Sequence, residues 1–164
     1  MADASMDIVS KVDRQEVANA VNQAAKEITQ RYDFKNIEAT ITLNGDKILL
    51  VSNSPERVLA ILDVLQSKAI KRGVSLKSLD TAGKEPWVSG KEYRLEVNLK
   101  EGLAGENAKK VTKTIRDLGP KSVKTQITGD EVRATSKSRD DLQEVISLLK
   151  ETEFDFALQF TNFR

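Results

Sequence analysis

One pattern of turn and helix-capping residues occurs twice along this chain. Gly45-Asp46 is followed by Ser54, and Gly129-Asp130 is followed by Ser138 at the same spacing. Each glycine lies between two extended stretches, which predicts a β-hairpin, and each serine precedes an apolar stripe of helical period, which predicts an N-cap. Two unrelated hairpin-helix units rarely agree in such detail. The sequence therefore indicates an internal duplication.

Further elements complete each repeat. Asp13 and Glu16 predict a capping box for a helix before the first hairpin, and a second helix begins near Glu106 before the second hairpin. The predicted leading strands are 6–11 and 93–99, the closing strands are 74–79 and 156–160, and residues 81–91 connect the halves. The order β-α-β-β-α-β is the ferredoxin-like pattern. We expect an α+β fold of two ferredoxin-like units, each an antiparallel sheet covered by two helices. The residues alone leave open which unit each leading strand joins.

The composition excludes several kinds of chemistry. The 164 residues include no cysteine and no histidine, so disulfides, thiolate nucleophiles, histidine bases and the usual zinc ligands are unavailable. No constellation of other residues suggests catalysis, and we expect no enzymatic activity, metal or cofactor. No stretch approaches the ~20 apolar residues that span a bilayer, and the start lacks a signal-peptide run. We therefore expect a cytoplasmic protein with no membrane partner.

The net charge is +1, so no overall field attracts nucleic acid, and any anion site must be local. Strand residues alternate between the two faces of a sheet, and in a ferredoxin-like unit the helices cover one face only. The predicted uncovered face of the second unit carries Lys124, Gln126, Arg133, Thr135, Lys137 and Gln159. It is basic and lacks carboxylates at these positions.

Such a face is suited to a nucleotide. Arg133 and Lys137 are predicted to hold phosphates, with Lys124 and Lys11 adding charge, because guanidinium and ammonium groups bind phosphate oxygens well. Gln126 and Gln159 are candidate readers of a base edge, and Thr135 is a further hydrogen-bonding group. The competing interpretation is a plainly solvated face, which antiparallel sheets often have.

Two other groups of residues are weaker candidates. The first lies at the end of the first helix and comprises Arg31, Tyr32, Phe34 and Lys35; a helix C-cap with buried aromatic side chains is the favoured alternative. The second is the turn Gly102-Leu-Ala-Gly105, which precedes a helix carrying Lys109 and Lys110. Free amides at a helix N-terminus accept anions. A simple tight turn is the alternative.

The strand 47–51 differs from its counterpart in the second repeat. Its consecutive apolar residues, Ile48 to Val51, predict burial on both faces, so something is expected to cover it. This leaves a groove between the units as a second possible site, and it is the one hint of a protein-interaction adaptor without a small ligand.

Six segments together resemble the YajQ family of bacterial nucleotide-binding proteins, and the similarity extends over essentially the whole chain. They are SMDIVSKVD (5–13), RYDFK (31–35), AKKV (108–111), ITGDEVR (127–133), KSRDDLQ (137–143) and LQFTNFR (158–164).

This resemblance implies that the leading strands are exchanged. Residues 12–91 would form the first unit, completed by strand 92–99, and residues 100–164 the second unit, completed by strand 5–11. It also implies a non-catalytic nucleotide-binding protein, with cyclic di-GMP as the best-known effector and a protein partner that receives the signal. Nucleic-acid contact is reported in the family, so an RNA- or DNA-binding module is the alternative function.

Overall fold

The computed structural model describes residues 3–81 and 84–164, which divide into two compact units. The C-terminal unit comprises the residues up to Lys11 together with Glu101–Arg164, and the N-terminal unit is Val12–Lys100. The elements in chain order are β1 (Ala4–Val9), α1 (Arg14–Gln30), β2 (Thr40–Asn44), β3 (Lys47–Ser52), α2 (Pro55–Lys71), β4 (Leu79–Asp80), β5 (Trp87–Ser89), β6 (Glu92–Leu99), α3 (Gly105–Leu118), β7 (Lys124–Thr128), β8 (Glu131–Ser136), α4 (Arg139–Glu151) and β9 (Gln159–Thr161). Among the residues described, no helix has the length and apolar character needed to cross a membrane.

The leading strands are exchanged between the two sheets. In the C-terminal unit the strand order is β7-β8-β1-β9, and in the N-terminal unit it is β2-β3-β6-β4, with β5 also paired to β6. All of these pairs are antiparallel. The strand near the start of the chain therefore lies at the centre of the C-terminal sheet, and the predicted α+β fold of two ferredoxin-like units is confirmed.

Each unit has its own hydrophobic core between its helices and one face of its sheet. In the C-terminal unit Met6 and Ile8 of β1 are fully buried against residues such as Val111 and Val145 of the helices. In the N-terminal unit Ile48 and Leu50 of β3, Leu95 and Val97 of β6, and Val58 and Ile61 of α2 fill the same role. Burial of each such side chain stabilises the folded state by about 1.5–3 kcal/mol.

The predicted caps and turns are confirmed. Asp13 Oδ1 accepts from the backbone N–H groups of Gln15 and Glu16, while Ser54 Oγ accepts from Arg57 N–H and Ser138 Oγ from Asp141 N–H. Gly45 and Gly129 have φ angles of 58° and 60° in the two hairpin turns, a region that L-residues other than glycine rarely adopt. The repeats thus agree in backbone conformation as well as in sequence.

Several predicted strand boundaries are wrong. The last strand was expected at 156–160 but is β9 (Gln159–Thr161), because Phe154 and Phe156 stack with ring centroids 4.9 Å apart and fill the core before the strand begins. Residues 74–79 form a short 3₁₀ turn and only the two-residue β4. The leading strand ends at Val9, since the Ser10 carbonyl accepts from Gly102 N–H in a loop. Part of the expected connector is β5, which pairs with β6.

Candidate functional site

The face of the C-terminal sheet that lies opposite its helices has the predicted alternation. Val132, Ala134 and Ser136 of β8 are buried on the helix side, whereas Arg133 and Thr135 are half-buried on the other face. In the register of the sheet, Arg133 lies between Gln126 of β7 and Asp7 of β1, and Thr135 lies between Lys124 and Ser5.

The predicted site residues fall into two groups along the sheet. Five of them lie on or directly after the paired strands β7 and β8, and we call these five the basic surface: Lys124, Gln126, Arg133, Thr135 and Lys137. Lys11 and Gln159 lie at the opposite end of β1, because β1 and β8 are antiparallel. The Lys11 backbone N–H donates to Gln159 Oε1 over 2.8 Å. Lys11 and Gln159 are therefore separated along the sheet from Lys124 and Lys137.

A buried carboxylate lies on this face beside the predicted residues. Asp7 is 4% exposed, and its oxygens accept from Arg133 Nε at 3.0 Å and from Asn162 Nδ2 at 2.8 Å. The six predicted positions themselves carry no carboxylate. The exchanged strand β1 brings Asp7 beside Arg133 from the other end of the chain.

The Asp7–Arg133 pair changes the electrostatics of both groups. The hydrogen bond from Arg133 lowers the pKa of Asp7 below its ordinary value of 3.8; burial opposes this shift, and Asn162 adds to it. The same hydrogen bond raises the pKa of Arg133. Asp7 is therefore ionised at neutral pH and neutralises part of the charge of Arg133.

Arg133 nevertheless keeps a free edge. Its bond to Asp7 uses Nε, and its side chain is 43% exposed. Within residues 3–81 and 84–164, Asp7 is the one carboxylate in ion-pair contact with it. Lys124, Gln126 and Lys137 are exposed around this guanidinium. The buried carboxylate thus orients Arg133, while its terminal nitrogens remain able to bind a ligand.

The cluster at the end of α1 contains the expected C-cap, which is Arg31, but only one of its two aromatic side chains is buried as the C-cap interpretation expects. Arg31 donates from Nε and Nη2 to the two oxygens of Asp33, at 2.9 and 2.7 Å, and its guanidinium lies 5.4 Å from the ring centroid of Phe34. That hydrogen bonding lowers the pKa of Asp33 and raises the pKa of Arg31. Phe34 is buried in the core, and Tyr32 is 88% exposed. Lys35 is exposed beside it.

The glycine turn before α3 also favours its structural interpretation. Gly102 N–H donates to the Ser10 carbonyl at 2.6 Å, and Leu103 N–H donates to the Asp130 carbonyl at 2.9 Å. Leu103 is fully buried. Two lysines on α3 were predicted to add charge to an anion site at this turn. Lys109 Nζ lies 3.9 Å from Glu106 Oε1, and Lys110 is exposed. The amides of Gly102 and Leu103, which precede the helix, are therefore bonded within the fold.

Sequence reasoning missed Asp7 and Asn162. The available signal for Asp7 was a single carboxylate between Met6 and Ile8 in an otherwise apolar strand, where an ionised group requires a partner. Asn162 has a φ angle of 54°, a left-handed conformation that asparagine tolerates better than most residues. No local pattern connects either residue to Arg133.

Among the residues that the structure describes, no group of three or more carboxylates could hold a metal ion.

Comparison with known proteins gives a consistent result over the whole chain. A family model described as "Nucleotide-binding protein YajQ-like" matches residues 4–164. The chain is similar to proteins named as nucleotide-binding in Streptomyces coelicolor, at 65% identity over 164 residues, and in Clavibacter michiganensis, at 60% over 164 residues. It is 57% identical over 165 residues to one from Mycobacterium tuberculosis. Each of these matches covers the full length of both chains.

Proposed function

Because this chain belongs to the YajQ-like family of nucleotide-binding proteins, we propose that it holds a nucleotide of the cyclic di-GMP type on the basic surface of its C-terminal unit. It binds this ligand without chemical conversion and passes the signal to a protein partner. The proposal extends the family assignment to a particular ligand, a particular surface and a signalling role.

The observation that carries this proposal is a difference between the two repeats. When Gly45 is aligned with Gly129 and Ser54 with Ser138, the sheets pair residue for residue. The residues of the basic surface Lys124, Gln126, Arg133 and Lys137 then correspond to Thr40, Thr42, Leu49 and Asn53. Only the C-terminal repeat has cations at these positions, although the backbone is shared. The cations are therefore a property of the C-terminal repeat and not of the shared frame.

The geometry of the basic surface suits a ligand with more than one phosphate. Asp7 restricts the guanidinium of Arg133, so little side-chain entropy is lost when its terminal nitrogens bind a phosphate. Lys124 and Lys137 lie at the same end of the sheet and add charge without a fixed orientation. The exposed amide of Gln126 has both donors and an acceptor for a base edge.

The state of Asp7 supports binding without catalysis. It is the one buried carboxylate among the described residues, both of its oxygens accept hydrogen bonds, and its pKa is held below 3.8. A general base works best with a pKa near the working pH, which Asp7 does not have. The chain has no histidine or cysteine to take that role.

The test is calorimetric titration of the wild type and of the double variant Arg133→Ala with Lys137→Ala. Cyclic di-GMP, GMP and a single-stranded RNA are the ligands. We expect the double variant to bind the cyclic dinucleotide more than tenfold more weakly, because two charge-assisted contacts are lost. Lys71→Ala with Lys77→Ala is the matched control, since it removes two exposed cations from the N-terminal unit, and it should bind as the wild type does.

Two results would overturn the proposal. The first is unchanged affinity in the double variant. The second is a strong preference for long RNA with a steep fall in affinity as salt rises, which is the behaviour of a polymer-binding module. Absence of any nucleotide binding together with a stable protein partner would instead favour an adaptor.

A further inference from the structure

A cavity of about 310 Å³ lies in the C-terminal unit where β1 begins. Its apolar part is formed by Ala4 of β1 and Leu142 of α4, which are 8% and 3% exposed. Its polar part is formed by Arg139 and Gln143 of α4 and by Arg164. Ser5 and Phe163 complete the lining, which includes no aspartate or glutamate among the described residues.

Both arginines of this cavity are exposed side chains on a fixed backbone. Arg139 is the first residue of α4, which Ser138 caps. Arg164 is paired to β1 by two backbone hydrogen bonds with Ser5, at 3.0 and 3.1 Å. In the part of the chain that the structure describes, neither guanidinium is in an ion pair with a carboxylate. The charge of Arg164 also helps to lower the pKa of Asp7, but both guanidinium groups remain exposed, and two such groups at one cavity are suited to a phosphate.

Phe163 is an exposed aromatic ring on the same rigid segment. It is 58% exposed and lines the cavity beside the two arginines, so one face of the ring is accessible there. The preceding residue, Asn162, is held by its hydrogen bond to the buried Asp7. A base can stack on such a ring, and the exposed amide of Gln143 can bond to a base edge.

We infer that this cavity binds one nucleotide unit, with the base on Phe163 and its phosphate between Arg139 and Arg164. Ligand cavities in proteins span about 300–1,000 Å³, so a cavity of about 310 Å³ takes a mononucleotide rather than a whole dinucleotide. The inference rests on the proposed function. It adds a second contact region that the basic surface does not include.

The cavity and the basic surface lie on different sides of the C-terminal sheet. Ala4 and Leu142 of the cavity belong to the core between the sheet and its helices, whereas Arg133 and Thr135 lie on the opposite face. The cavity is therefore a separate site, which takes a mononucleotide or one exposed nucleotide unit of a larger ligand.

The test uses the full chain and two single variants, Arg139→Ala and Phe163→Leu. Calorimetry with GMP should show that Arg139→Ala lowers affinity by about tenfold, since a charge-assisted contact is worth about 1.5–3 kcal/mol. Phe163→Leu should weaken GMP about fivefold by loss of base stacking but leave the weak binding of inorganic phosphate unchanged. Arg116→Ala, an exposed arginine on α3, removes the same charge elsewhere and should have no effect.

Methyl NMR gives an independent readout of the same cavity. The Leu142 and Ala4 methyl resonances should shift as GMP is added to the wild type and should shift less in Phe163→Leu. Far-UV circular dichroism establishes that each variant is folded. If Arg139→Ala loses the circular dichroism signal of the folded protein, Arg139→Lys replaces it in the test. Lysine keeps the charge, so this variant should retain most of the affinity for GMP.

The outcomes separate this inference from the proposed function. GMP binding that is equal in the wild type and both cavity variants, with no shift of the Leu142 methyls, overturns the cavity. If the Arg133→Ala, Lys137→Ala variant still loses affinity for cyclic di-GMP, the proposed function stands without it. Weakening by the cavity variants alone supports the cavity and overturns the basic surface. A wild type that binds no nucleotide overturns both.

Discussion

In the N-terminal unit Leu49 occupies the position that Arg133 has in the C-terminal unit, and Glu96 occupies the position of Asp7. The surrounding frame is the same in both units, from the hairpin glycine to the serine cap of the next helix. Glu96 lies 3.4 Å from the exposed Lys47, whereas Asp7 is buried and bonded to Arg133. One frame therefore carries an ordinary surface ion pair in one unit and an oriented guanidinium in the other.

This difference shows which part of the duplication was free to change. The core residues of both sheets remain apolar because each unit must bury one face against its helices. The opposite face carries no such requirement, so Thr40 and Lys124 occupy equivalent positions without changing the fold. The two repeats can thus differ in the charge of this face while they share one fold.

The largest expected effect concerns the continuity of the two units. The N-terminal unit, Val12–Lys100, contains every strand of its own sheet, whereas the C-terminal unit depends on β1 from the start of the chain. We expect a fragment of residues 12–100 to fold and one of 101–164 to remain unfolded by circular dichroism, because the fully buried Met6 and Ile8 are missing. Adding a peptide of residues 3–11 should restore its structure. A fragment 101–164 that folds alone would show that β1 is dispensable.

The second prediction concerns how much the buried carboxylate of Asp7 contributes to stability. Asp7→Ala should lower the free energy of unfolding by about 2 kcal/mol, because hydrogen bonds to a charged, buried group are lost. Urea unfolding with an unchanged slope measures this. The stability of Asp7→Asn should lie between those of the wild type and Asp7→Ala, since asparagine keeps the shape and one acceptor. If Asp7→Ala lost no more stability than an ordinary surface substitution, the buried hydrogen bonds of Asp7 would not contribute to stability.

The same residue predicts a pH dependence. The pKa of Asp7 in the folded protein lies below its ordinary 3.8, so its stabilisation is fully present above pH 3.8. It is lost as the pH falls below 3.8 towards the folded pKa. The stability difference between wild type and Asp7→Ala should therefore shrink below that pH. A constant difference would mean that the interaction does not depend on ionisation.

Much of this architecture could be predicted from the residues. The hairpin glycines, the serine caps and the two-residue alternation of β8 are local signals, and each was confirmed. The resemblance to a family, now shown by the comparisons, supplied the exchange of leading strands, which the residues had left open. Local signals failed for the last strand. Phe156 is buried in the core but is not part of a strand, and β9 begins three residues later, at Gln159.

The details of the candidate site were less predictable, because they depend on contacts between distant parts of the chain. Asp7, Arg133 and Asn162 meet only through the central position of β1, and no spacing rule connects them. The cavity beside Arg139 likewise depends on the pairing of Ser5 with Arg164. The residues on β8 could be assigned to a face, but their partners could not be named.

A further prediction concerns strand β7 of the basic surface, which can be given the residues of the equivalent strand β2. Lys124→Thr with Gln126→Thr places in β7 the residues that β2 has at Thr40 and Thr42. We expect cyclic di-GMP affinity to fall roughly fivefold, about 1 kcal/mol, because these exposed groups add contacts without the orientation that Asp7 gives Arg133. Stability should not change. Lys77→Thr in the N-terminal unit removes the same charge and is the control; an equal loss there would indicate a general field effect.

The smallest expected effect is that of Glu96→Gln, the counterpart of a change at Asp7. The side chains of Glu96 and Lys47 are 43% and 63% exposed, so water and salt already screen their attraction. Such exposed pairs contribute about 0–1 kcal/mol, and we expect a loss below about 0.5 kcal/mol in urea unfolding, which should disappear at high salt. The backbone carbonyl of Glu96 still accepts from Lys84 Nζ in the variant. A loss as large as that of Asp7→Ala would mean that the two units do not differ in how they hold this acidic position, and the asymmetry would then reside in Arg133 alone.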